Sequence, residues 1–88
     1  MDIEPVQARI AHESAELRAG YPHITDCRTR LVQWDEAGRK RYALRLDIRW
    51  PQHQTLLSGE PRDDALAAIA AGFASARTRL QEAAWASR

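Results

Sequence analysis

The chain has 88 residues, 44% hydrophobic and 28% charged, which suits one soluble globular module, residues 1–88, and excludes both intrinsic disorder and a second buried core. Its formal net charge of +1 and pI of about 8.0 exclude the strong overall basicity of many nucleic-acid binders, so any such role must rest on where the charge sits. Residues 1–23 carry Arg9 and Arg18 against Asp2, Glu4, Glu13 and Glu16, whereas residues 24–50 carry Arg28, Arg30, Arg39, Lys40, Arg41, Arg45 and Arg49 against four acids. The positive charge is central and almost wholly arginine, the side chain whose planar donor fork suits phosphate.

Pro5 suits a first helical turn, and Val6, Ile10, Leu17 and Tyr21 recur at helical spacing until Gly20, Tyr21 and Pro22 stop the helix. From Ile24 to Trp34 the period becomes two, with Cys27, Thr29 and Leu31 on one side and Arg28, Arg30, Val32 and Trp34 on the other. "DEAGRKR", residues 35–41, reads as a long hairpin loop. Tyr42 to Trp50 alternates: Tyr42, Leu44, Leu46, Ile48 and Trp50 form a core side opposite Arg45, Asp47 and Arg49, and Pro51 ends the strand. A short third strand is expected at Gln54–Ser58, with Leu56 and Leu57 on opposite faces. "EPRDDALAAIAAGFASARTRL" then predicts a helix with Pro61, Asp63 and Asp64 near its start and Leu66, Ile69, Phe73, Ala76, Leu80 and Ala84 as its apolar stripe.

The expected fold is α+β, in the order α-β-β-β-α: a three-stranded antiparallel sheet with two helices on one face and the other face open to water. Arg28, Arg30, Arg45 and Arg49 then share the open face, extended at one end by Arg39, Lys40 and Arg41, since cross-strand neighbours stand about 5 Å apart. Such a face is either solvated surface, with Asp47 paired to a neighbouring arginine, or a place where phosphates lie and release counterions. Trp34 and Trp50 near the strand ends are candidates for stacking on bases, although the parity of Trp50 assigns it to the core.

Other residues point to no chemistry. Single Cys27 excludes an internal disulfide and suits a reducing compartment, where it serves as a small buried hydrophobe. His12, His23 and His53 show no metal-ligand spacing, no group assembles nucleophile, base and orienter, and "SGEPRDD" lacks phosphate-loop spacing. Neither an enzyme nor a cofactor or small-molecule substrate is expected. With no apolar run approaching the ~20 residues needed to cross a bilayer and no leader, the sequence reads as cytoplasmic with no membrane partner.

The element order is that of the double-stranded RNA-binding domain, but that class opens its second helix with a lysine-rich stretch where this chain has "EPRDDALAAI". "YPHITDCRTRLVQ", the charged loop, and "RYALRLDIRWPQHQTLLSGEPRDDALAAIAAGFASARTRLQE" resemble instead the ribosome hibernation-promoting factor family, also called ribosome-associated inhibitor or sigma-54 modulation proteins, over about Val6 to Glu82. "HITDCR", where the first helix passes into a strand, and "DDALAAIAAGFASARTRL" carry most of the likeness. The resemblance implies a non-catalytic module that binds small-subunit ribosomal RNA and holds ribosomes idle under stress. It places basic contacts near Arg28 and Arg30 and, late in the last helix, near Arg77 and Arg79. The family's first strand is reduced here to "MDI", which leaves a sheet edge through which the chain could form a homodimer. Ser75, Gln81 and Glu82 stand where the family commonly carries lysine or arginine, so the hold on RNA is expected to be weaker and more salt-sensitive. The competing expectation is a diverged member that binds proteins or itself and no ribosome.

Overall fold

The computed structural model describes residues 3–86, and the side chains of residues 4–83. Helix α1 (Ile3–Gly20) turns Val6, Ile10 and Leu17 inward, Leu17 being buried, and closes where the Tyr21 amide donates to the Leu17 carbonyl at 3.0 Å. Ile3 is helical and so forms no part of a first strand; Met1 and Asp2, the rest of that expectation, lie outside the described residues.

Strand β1 (Asp26–Glu36) runs antiparallel to β2 (Arg39–Trp50), which runs antiparallel to β3 (His53–Ser58), in the spatial order β1-β2-β3. The first link corrects the sequence reading. Residues 35–41 form no long loop: Ala37 and Gly38, with φ of 52° and 78°, make a two-residue turn, and Glu36 already pairs with Arg39. Two positive φ values match the twist of the flanking strands, so this turn closes the hairpin without splaying it. Arg39, Lys40 and Arg41 therefore belong to a strand. The second link, Pro51 and Gln52 (φ 65°), is equally short, and β3 begins one residue earlier than expected, at His53.

Helix α2 (Ala65–Ala86) packs against β2 and β3, and α1 packs against α2, so both helices lie on one face of the sheet and the fold is α+β. Asp64 caps α2, its side chain accepting from the Leu66 and Ala67 amides at 2.9 and 3.2 Å. The buried stripe comprises Ala65, Ala68, Ile69, Phe73, Ala76 and Leu80 against Leu44, Leu46 and Ile48. Leu66, expected on that stripe, is 41% exposed, because the helix turns its small residues to the sheet at its N-terminal end; Ala84 lies outside the described side chains. No helix among the described residues is long and apolar enough to cross a membrane.

Candidate functional site

On the open face, the pairing register sets side chains in rows across the three strands: Asp26–Arg49–Gln54, Arg28–Asp47–Leu56, Arg30–Arg45–Ser58, Val32–Ala43, Trp34–Arg41 and Glu36–Arg39. Three of these rows set an acid against an arginine. One does not. Arg30 stands directly opposite Arg45, both exposed, and neither has a carboxylate partner among the described residues. The diagonal acid, Asp47, is already engaged: it accepts from Gln54 Nε2 at 3.0 Å and from Arg49 Nη2 at 3.3 Å. Those contacts, Gln54 first and then Arg49, hold its carboxyl below the ordinary carboxylate range, so it stays ionised and committed.

Around the two arginines the sheet forms a shallow groove of about 520 Å³ lined by Arg28, Arg30, Arg45, Asp47, Leu56 and Ser58. Leu56, 70% exposed on the edge strand β3, adds an apolar side chain to this otherwise mostly charged lining. A neighbouring groove of about 470 Å³ runs past Val32, Trp34 and Ala43. Trp34 is half-buried and faces this open side, whereas Trp50 lies on the helix side, packed against the core and stacked on His53 at 5.3 Å. The arrangement can take an anion between Arg30 and Arg45 and a flat apolar group near Trp34.

The other sequence-predicted arginines are placed elsewhere. Arg39 and Arg41 do not extend the open cluster as free cations, because both donate to Asp63, Nη2 and Nη1 respectively reaching its two oxygens at 2.6 Å. Arg41 also has a buried Nε with no hydrogen bond; the Glu36 carboxylate at 3.6 Å is an ion pair only. Lys40 is exposed at the same hairpin. Arg77 donates to Glu13 at 3.1 Å and ties α2 to α1, and Arg79 is exposed on α2, in the layer behind the sheet. The structure thus gathers Arg28, Arg30, Arg45 and Arg49 on one surface and separates them from Arg77 and Arg79.

Sequence reasoning treated Asp63 and Asp64 alike. Only Asp64 caps the helix; Asp63 pins the β1–β2 hairpin to the start of α2. Its carboxyl is held below the ordinary range, chiefly by the hydrogen bond from Arg41 and also by the charge of Arg39. A depressed folded value contributes stability that is full above the unfolded value of about 3.9 and is lost as pH falls through the folded one. Asp63→Asn should therefore melt below the wild type at pH 7, with the two midpoints converging as pH falls from about 4; parallel midpoint curves would exclude the bridge.

Cys27 sits on the helix side of β1, half-buried, and burial raises its thiol above the ordinary value; the charge of Arg18 opposes this, while Asp26 and Asp47 reinforce it. A raised thiol is a poor nucleophile at neutral pH. His23 and His53, far apart in sequence, line one recess of about 350 Å³ with Tyr21, Ile24, Trp50 and Leu80. Among the described residues no group of three or more His, Cys, Asp or Glu could hold a metal ion. No protein-family model matches the chain, and no curated protein matches it.

Proposed function

We propose that the protein is a cytoplasmic, non-catalytic RNA-binding module that acts by occupancy, with small-subunit ribosomal RNA as its target and idle ribosomes under stress as its setting. The observation that carries this reading is the Arg30–Arg45 row. Like charges placed directly opposite each other cost stability, and the cost is offset when a phosphate lies between them. Arg28 and Arg49 lie on the same face but are already bonded to acids, Arg28 to Asp26 at 3.0 Å and Arg49 to Asp47 at 3.3 Å. Trp34 offers a surface on which an unstacked base can lie. The choice of target rests on the likeness of "HITDCR" and "DDALAAIAAGFASARTRL" to the hibernation factors. Arg77 and Arg79 are left out of the main contact, since one is committed to Glu13 and both lie behind the sheet.

The test is co-sedimentation of the purified protein with small ribosomal subunits across a salt series. The two arginines without a carboxylate partner, Arg30 and Arg45, predict retention at low salt with a log–log slope of about −1.4, steepening toward about −3 where phosphates also displace Asp26 and Asp47 from Arg28 and Arg49. Absence from the ribosomal pellet at every salt would exclude the reading and favour the alternative, a diverged module that binds protein and no ribosome.

A further inference from the structure

We infer that strand β1 is a self-pairing edge, and that two copies join through it, antiparallel and centred on Val32, into one continuous six-stranded sheet. β1 is the outer strand of the sheet, and among the described residues nothing pairs with its far side. Tyr42 exchanges both its backbone hydrogen bonds with Arg62, beyond β3, so even-numbered residues of β2 bond toward that side and odd-numbered ones toward β1. By register, the even residues of β1 bond to β2. Cys27, Thr29, Leu31, Gln33 and Asp35 therefore present amide and carbonyl groups outward.

Natural edges of this kind are usually short, or blunted by proline, lysine or a bulge. β1 is neither short nor interrupted: it is 11 residues long, contains neither Pro nor Lys, and pairs with β2 without a bulge. Its charges, Asp26, Arg28, Arg30, Asp35 and Glu36, are of both signs and so restrict the register of pairing. The opposite edge, β3, is only 6 residues long and lies between Pro51 and Pro61. On the helix side of β1, Cys27 and Leu31 are also only half-buried, because α2 lies over β2 and β3, and on the open face Val32 and Trp34 are half-buried.

Charge chooses the register. With Val32 opposite Val32 of the second copy, Arg28 meets Glu36, Arg30 meets Trp34, and on the helix side Thr29 meets Asp35 and Leu31 meets Gln33. The outward-bonding residues then face one another, as a ladder requires. Centring on Leu31 sets Asp26 against Glu36, and centring on Arg30 sets that arginine against itself; centring on Gln33 shortens the ladder and loses Arg28. In the Val32-centred pair the two open faces lie on the same side, so the Arg30–Arg45 rows of both copies share one surface.

The inference does not depend on RNA, and its test contains none: sedimentation equilibrium of the pure protein from about 1 to 100 μM. The wild type is expected to dimerise with rising concentration. Arg28→Glu and Glu36→Arg each place two like-charge pairs across the two-fold axis and should weaken the dimer about tenfold, and the double reversal should restore it to within about threefold. Gln33→Pro removes an outward N–H that β2 does not use, and should give a monomer with an unchanged far-UV spectrum. A monomeric wild type, a double reversal that fails to restore, or a dimeric Gln33→Pro would each overturn the proposal.

Discussion

Replacing Arg30 and Arg45 together with glutamate is expected to cut affinity for small-subunit RNA about 100-fold at low salt and to flatten the salt slope by roughly 1.5. The two residues face one exposed groove, so removing both deletes two charge-assisted contacts and adds two repulsive ones. The single variant Arg30→Glu makes the argument sharper, because its two effects have opposite signs. It converts the like-charged row into a cross-strand ion pair with Arg45, which should raise the thermal midpoint by about 2–5 °C. It should also weaken RNA binding about tenfold. A surface maintained only for solubility would show the rise in melting temperature with no loss of binding, since nothing would occupy the groove. Stabilising substitutions are common at neutral sites, so only the rise in melting temperature together with the loss of binding assigns the row to a ligand.

The strands were legible because one face of β2 is buried: Tyr42, Leu44, Leu46 and Ile48 must point inward, and a period of two then fixes where Arg45, Asp47 and Arg49 point. The like-charged row was not legible, since it depends on which residue of β1 faces which residue of β2. That register follows from the Ala37–Gly38 turn, and an alanine at positive φ is not a residue that announces one. The role of Asp63 was hidden for the same reason: only the short turn carries Arg39 and Arg41 into β2, within reach of a carboxylate 22 or more residues later. On α2, the apolar pattern alone suggested Leu66, whereas the structure chose Ala65, Ala68 and Gly72. Small residues carry little hydrophobic signal, yet they set how closely a helix can lie on a sheet.

That closeness predicts a large loss of stability from a single methyl group. After β3 the chain crosses α2 at Gly59, whose amide donates to the Leu44 carbonyl at 2.9 Å, and a Cβ at Gly59 would stand 2.4 Å from the Gly72 Cα and 2.7 Å from its nitrogen. A Cβ at Gly72 would in turn stand 2.7 Å from the Leu44 Cβ. Three backbones meet here without side chains to spare, and the first contact is with helix backbone, which cannot rotate away as a flexible side chain would. Gly59→Ala must therefore push α2 off the sheet or break the Gly59–Leu44 hydrogen bond. We expect a loss of about 3 kcal/mol, a large part of the total for a chain of this size, read as a fall of about 2 M in the urea midpoint. Gly72→Ala should cost somewhat less, about 2 kcal/mol, because helix propensity offsets part of the clash with Leu44. Gly20→Ala is the control: no atom lies within 4 Å of its Cβ position, and the substitution should be neutral or stabilising by up to about 1 kcal/mol. If Gly59→Ala melts with Gly20→Ala, the helix does not rest on the turn, and the packing that presents the open face to solvent has a different origin.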